Sequence, residues 1–530
     1  MKKHIPIMGV LGLLLGCSES AIKVTGDESD YSYAEDMADT GSWGGYDEET
    51  SEPDAGDYDD GFGSEQESDF ESLRPATTDA YVFVANPDRN TVTRISVPSL
   101  AVLTAEVGVD PILVETSSDY TRAVTFNRGS NDVSVVDAET LDVVEVAVRS
   151  NLNQMKMSPD GKWVVCYHDV NADGGGTTSG GAVSFNAISI VNVETLEAFD
   201  AMVGAYPHDV QFTANSEMAI VISDDYLTAL DFTDESPIPR RIAIADDLIN
   251  PPRAEEVLLD PQGRYALVRQ YAVNELVLVD FSEDATEQVS LLAVGENPTD
   301  MDVSPSGEEA LVVARGSNEI WIYDLDDPTA DANVIPMPEG EVFGSLLLSP
   351  DNTQGILYST QTDLSRMGIW DRDSSDDDIL ISGLVKPISN VGVSPTGETA
   401  IIFHPQSNGD TPSTSQYYNK HALSLVDMKN FFTSAYQLAA KPQTFASTPD
   451  GKIGFYIMEN QPFLELLDYQ TFVPTEVVLP SIPVHLGTLP ETNIAYVSQQ
   501  HDLGRISFFD VDEDALKTIT GFELNSAIEH

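Results

Sequence analysis

Cysteine is nearly absent: the 530 residues hold two, Cys17 and Cys166. One thiol near the start and one far downstream leave no disulfide framework inside a folded domain. Basic residues are thin as well, 26 Lys and Arg against 88 Asp and Glu, for a formal charge of −62. That balance repels a phosphate backbone and excludes DNA or RNA as a partner. After the first 16 residues no apolar run approaches the ~20 residues a spanning helix needs. No G-x-S-x-G elbow occurs, and no Gly-rich phosphate loop opens a helix. The eight histidines never take a short ligand spacing such as H-x-x-x-H. Carboxylates are so common that no pair stands out as acid and base.

The start of the chain is its one apolar stretch. "MKKHIPIMGVLGLLLGC" places Lys2 and Lys3 before an apolar run from Ile5 to Leu15, then Gly16 and Cys17. This is the layout of a secretory signal peptide, too short to span a bilayer. The ending "LLGC" resembles the bacterial lipobox, which implies a signal peptide over 1–16 and a lipid on Cys17. By the same resemblance, Ser18 after the cysteine implies sorting to the outer membrane. The expected address is the cell envelope, with the membrane reached through lipid.

Residues 17–78 read as a different polymer, "DESDYSYAEDMADTGSWGGYDEETSEPDAGDYDDGFGSEQESDFE" in their middle. Asp, Glu, Gly and Ser dominate and aliphatic side chains are rare, so burial cannot offset ordering entropy. A disordered acidic tether is predicted, extended by its own charge.

From residue 79 to 530 the texture changes to short alternating apolar runs, rich in β-branched residues and bounded by turn formers, the mark of strands. Turn phrases punctuate them: "SPDGK" from Ser158, "DPQGR" from Asp260, "SPSGE" from Ser304, "SPDNT" from Ser349, "SPTGE" from Ser394 and "TPDGK" from Thr448. Successive spacings are mostly about 41 to 55 residues, the period of a four-stranded propeller blade. "RGSNDVSVVD" from Arg128 and "RGSNEIWIYD" from Arg315 then read as one hairpin repeated in two blades. These phrases, with "YVFVANPDRNTVTRIS" and "MDVSPSGEEALVVARGSNEIWIYD", resemble bacterial β-propeller repeats of the YVTN type over nearly all of Ala80–Thr520. The resemblance implies an all-β fold and names no function, since propellers host binding modules and enzymes alike.

Ten sets of three strands can be counted, beginning near 80, 120, 161, 218, 265, 309, 354, 399, 453 and 494, against nine inner runs. One large propeller of about ten four-stranded blades is predicted, with nine as the alternative. The first set lacks its inner run, and the tail Phe522–Ile528 is expected to supply it.

Candidate chemistry is scattered. His168 and His404 end the second strands of the two units with the longest insertions, while His208 and His485 stand at the entrance to inner runs. Ring closure could bring such ligands together, although histidine is also an ordinary strand-end residue. His421 and His501 are the other two histidines of the repeat region. Arg89, Arg128, Arg269 and Arg315 recur after second strands, where they fit either an anionic-ligand site or pairing with nearby Asp. Cys166 lies in an apolar strand as a small core residue. "DVNADGGG" opens like an oxygen-rich calcium loop, with Asp169, Asn171 and Asp173 as ligands. The twelfth position is Gly180 rather than Glu and no helix flanks the loop, which excludes an EF-hand.

Two function classes follow. One is a lipid-anchored, noncatalytic propeller that binds a protein or glycan at the envelope. The other is an envelope enzyme of the lactonase or lyase type with a metal in the propeller channel.

Overall fold

The computed structural model describes residues 23–24 and 76–522, apart from positions 98, 171, 173–184, 234–235, 283–287 and 375–377. Cys17, Asn171, Asp173 and the tail from 523 onward lie outside the described residues. Almost every described element is a strand, and the strands fall in chain order into ten antiparallel sheets of four consecutive strands each. In the eighth sheet Lys23–Val24 adds a short edge against Asn390 and Val391. The ten-blade count holds, not the alternative of nine.

The strand sequences explain their places. Second strands such as Trp163–Tyr167 and Thr399–His404 are buried at every residue. They are covered by a neighbouring blade on both faces and so read as unbroken apolar runs. Outer strands such as Val143–Ala147 and Val473–Val478 are mostly exposed, and their composition is mixed. Ten core clusters fill the structure, one to each seam between successive blades. The tenth joins Tyr496, Ile506 and Phe508 of the last blade to Val82 and Ile95 of the first. Apolar packing, rather than a covalent staple, closes the ring.

The inner strand of the first blade is Ala76–Thr77, paired with Phe83 and Val82. This corrects the expectation that the tail Phe522–Ile528 fills that place. The adjacent chain reaches the position through one tight turn, in which Thr78 donates its N–H to Tyr81 O at 2.8 Å and Thr78 Oγ1 accepts from Tyr81 N–H at 2.8 Å. A local closure costs less entropy than recruiting a segment from the far end of the chain. The blade thus begins at Ala76, three residues before the compositional boundary at 79. Phe522 contributes instead to the closing seam, where it is buried.

The punctuation phrases are the turns between inner and second strands. In "SPDGK", Ser158 Oγ donates to Asp160 Oδ1 at 2.6 Å and accepts from Trp163 N–H at 3.0 Å. Gly161 has φ 71°, and a Cβ there would fall 2.4 Å from Ser117 Cβ in the preceding blade's turn. Only glycine satisfies both the left-handed backbone and the close approach. The "RGSN" hairpins lean on the connection before them, with Gly129 N–H on Val109 O and Gly316 N–H on Glu296 O. One mould serves blades two and six.

Candidate binding face

Antiparallel pairing places the ends of second strands and the starts of inner strands at the same edge, as Asp209 opposite Ile222 and Pro483 opposite Gln499 show. The hairpins after second strands and the blade-to-blade connections therefore share one face of the propeller. All the histidine and arginine candidates fall on it, spread over eight blades, with His404 and His421 sharing the eighth and His485 and His501 the tenth.

A buried polar ladder explains the strand-end histidines. In the first blade Asn86 Nδ2 donates to Thr93 Oγ1 at 2.9 Å. In the second Asn127 Nδ2 donates to Ser134 Oγ at 2.8 Å, and in the tenth Gln499 Nε2 donates to Ser507 Oγ at 2.5 Å. Each pair joins the end of the second strand to the third residue of the third strand. His404 occupies this slot in the eighth blade, fully buried, with Nε2 2.8 Å from Ser424 Oγ and Nδ1 2.8 Å from Pro387 O. A carbonyl can only accept, so Nδ1 carries the hydrogen and Nε2 accepts from the serine hydroxyl. Burial pushes the imidazole down to about 4, which keeps it neutral. Both of its nitrogens are engaged, one on the third strand and one on the connection that leads into the inner strand. His168 fills the same slot in the third blade, its ring 5.6 Å from that of Phe185, and its buried Nδ1 has no partner among the described residues.

The other candidates answer to local neighbours. His208 Nε2 lies 3.6 Å from Asp224 Oδ1, too long for a hydrogen bond and within reach of an ion pair when the ring is protonated. Burial raises the Asp224 carboxyl, yet His208, the N–H of Ala254 and Arg253 together hold it below its usual range. His485 is buried in the inner strand of the tenth blade, His501 Nδ1 accepts from Leu503 N–H, and His421 is half-buried, its ring lowered first by burial. Arg128 is exposed and meets Asp110 at 3.0 Å. Arg269 is buried between Glu255 at 2.5 Å and Glu256 at 3.1 Å, and Arg315 is buried at its hairpin. Cys166 is buried in the seam between blades two and three, where burial, then Glu115, push its thiol far up. Among the described residues no three His, Cys, Asp or Glu side chains form a group suited to a metal. Asp169 is pinned by Asn153 through reciprocal bonds of 2.8 and 2.7 Å, while its partners in the calcium loop reading, Asn171 and Asp173, lie outside the described residues.

Two features of this face were not read from the sequence. Residues 405–420, between the second and third strands of the eighth blade, wrap around Lys386. This lysine is fully buried and donates to Gln406 O at 3.3 Å, Asn408 Oδ1 at 3.4 Å and Tyr417 O at 3.2 Å. Burial lowers its ammonium's hold on the proton. The insertion is thereby ordered around one internal cation and presents Tyr418, 37% exposed.

The second feature is an arc of exposed apolar side chains over blades three to five. Phe185 stacks on Tyr206 at 5.0 Å, and Tyr206 N–H bonds Phe185 O at 2.6 Å. The next connection, 244–253, carries Leu248 and Ile249 outward on a turn in which Asp247 Oδ1 accepts from Ile249 N–H at 2.9 Å. Tyr271 follows, its N–H on Arg253 O at 2.8 Å. Exposure is 51% for Tyr206, 88% for Ile249 and 56% for Tyr271, on backbone that hydrogen bonds hold in place. Asp209, Asp224, Asp225, Asp246 and Asp247 lie among them, against the basic groups of His208 and Arg253. The sequence signal was slight, two aliphatic residues inside a polar connection, "ADDLINPPR".

No family model and no curated protein matches this chain. Solved structures do. A eukaryotic initiation factor superposes with a TM-score of 0.50 at 12% identity, over 76% of this chain and 96% of that one. The dihydro-heme d1 dehydrogenase NirN in complex with DHE matches at 0.43 and 15%, over 76% of this chain and 73% of that one. Apo AztD from Citrobacter koseri matches at 0.40 and 13%, over 68% of this chain and 94% of that one. The likeness is one of fold.

Proposed function

We propose that this chain is a noncatalytic binding module of the bacterial cell envelope, held by lipid on Cys17 and a 17–78 tether, that offers its hairpin face to a protein or glycan partner. The observation that carries the reading is the arc of Tyr206, Ile249 and Tyr271. Apolar side chains gathered on one face and held outward by ordered turns mark an interaction surface, whereas single exposed ones do not. Each contributes about 1.5–3 kcal/mol when fully covered, and a fixed backbone limits the ordering cost on binding. Tyrosines serve protein and sugar partners equally, through a flat apolar ring and a polar tip. His404 supports a noncatalytic role, because both its nitrogens are engaged within the fold.

Pull-down from envelope fractions, together with a glycan array, tests the reading on wild type and on Tyr206→Ala, Ile249→Ser, Tyr271→Ala combined. A ligand retained by wild type and lost at least tenfold by the triple variant is expected. Equal retention by both proteins would remove the arc from the binding site. Stoichiometric transition metal with turnover of a lactone would favour the envelope-enzyme reading instead.

A further inference from the structure

The third-strand slot that holds Thr93, Ser134, Ser189, Thr228, Ser424 and Ser507 in six blades holds a carboxylate, Glu465, in the ninth. Its register partners are Tyr456 on the second strand and Glu476 on the outer strand. Two carboxylates thus stand directly opposite on adjacent antiparallel strands, about 4.5–5.5 Å apart at Cβ. Where Asn127 and Gln499 donate into the slot and His404 accepts from it, the ninth blade has Met458, which has no side-chain hydrogen to give.

The surroundings supply no cation. Tyr456 packs in the seam with Leu423 and Leu425, so the pair faces the eighth blade. The strands there, Ala422–Asp427 and Thr433–Gln437, contain no Lys, Arg or His, and their one tyrosine, Tyr436, donates its hydroxyl to Phe472 O. The four strands of the ninth blade also lack any basic residue. Asp427 and Asp468 end their strands and accept backbone N–H groups of the following turns. Lys452 is paired with Asp450 in a turn, and Lys441 and Glu459 lie near His421 at the end of the seam.

We propose that Glu465 and Glu476 form a shared-proton site that ties the packing of the ninth blade against the eighth to external pH. With one proton between them, the carboxylic acid donates to the carboxylate and the like charges are relieved. Without it, the half-buried Glu465 and the exposed Glu476 are both negative and repel each other across the third and outer strands, which are driven apart. Burial first, then Glu476, push Glu465 up to about 7, so the change falls in the neutral range. The same seam carries the blade-eight insertion, since Tyr417 donates its hydroxyl to Ala435 O on the outer strand. The inference is independent of what the hairpin face binds.

The sign follows from linkage. Glu465 holds its proton more tightly folded than unfolded, so its favourable contribution is complete below about 4.5 and is lost as pH rises through about 7. Thermal unfolding of the full chain between pH 5 and 8.5 tests this with Glu465→Gln, Glu476→Gln and the exposed control Glu194→Gln. Glu465→Gln should melt above wild type at pH 8 and converge with it toward pH 5, Glu476→Gln should do the same in part, and the control should track wild type throughout. Amide exchange over 463–478, corrected for intrinsic rate, should slow about tenfold or more from pH 8 to 6 in wild type, a one-unit shift being tenfold. It should not slow in Glu465→Gln. Parallel melting curves with unchanged exchange would overturn the proposal, and Glu476→Gln carries the test if Glu465→Gln does not fold.

Discussion

His404 and Ser424 face each other at 2.8 Å across the second and third strands of the eighth blade, in the slot that Asn127 and Ser134 occupy in the second. A residue type suited to ligation has been placed where an amide does the same work. The histidine must be neutral to accept from the hydroxyl, and burial enforces this.

The first prediction follows from that neutrality. The folded imidazole sits near 4 and the unfolded one near 6.5, so below 6.5 the unfolded chain takes up the proton first. The stability that His404 contributes is present above 6.5 and lost as pH falls toward 4. His404→Gln, whose amide can still bond Ser424 but does not titrate, should reduce the drop in Tm between pH 7 and 5. His404→Ala should cost about 1–3 kcal/mol at pH 7 by stranding buried partners. A drop of the same size in His404→Gln would assign the acid sensitivity elsewhere.

Gly161 and Gly383 should respond differently to alanine. At Gly161 the new methyl meets Ser117 on a backbone with φ 71°, whereas at Gly383 nothing lies within 4 Å. Denaturant unfolding should show a loss of about 1–3 kcal/mol for Gly161→Ala and little change for Gly383→Ala.

Chain truncation checks how the ring closes. A protein starting at residue 75 loses only the two-residue edge Lys23–Val24 and should melt close to the full chain, because Ala76–Thr77 still pairs with the second strand of the first blade. One starting at residue 79 leaves that blade without its inner strand and exposes an edge. Its Tm should fall, and Thr116 Oγ1 should lose its acceptor, Thr77 O at 2.8 Å.

Cys17→Ala should release the protein from membranes, since acyl chains contribute about 0.8 kcal/mol for each buried CH₂. Sedimentation with membranes after a salt wash would contradict the lipid anchor.

Calcium at millimolar concentration should protect residues 169–183 from proteolysis, the affinity expected for two carboxylates and one amide being about 10⁻⁴–10⁻³ M. Asp169→Ala with Asp173→Ala should abolish the protection. Equal cleavage in calcium and in chelator would leave a plain polar insertion.

The repeat architecture was legible because it is built from local rules. Period-two alternation, β-branched runs and phrases such as "SPDGK" specify strands and turns without reference to distant residues, and their recurrence specifies blades. Cys166 was legible as a core residue for the same reason, being one apolar position in an apolar strand. The first blade's inner strand was misassigned because two residues, Ala76 and Thr77, are too few to show any alternation.

What tertiary structure alone decided is which side chains oppose one another across strands and seams. The sequence marked His168 and His404 as strand ends but could not give them the partners of Asn86 and Asn127, since that equivalence rests on register. Glu465 and Glu476 are eleven positions apart in a chain crowded with acids, and only antiparallel pairing sets them face to face without a cation. Tyr206, Ile249 and Tyr271 stand on three separate loops, and the ring brings those loops to one face. Local propensity determines the strands, whereas charge and exposure depend on the neighbours that folding supplies.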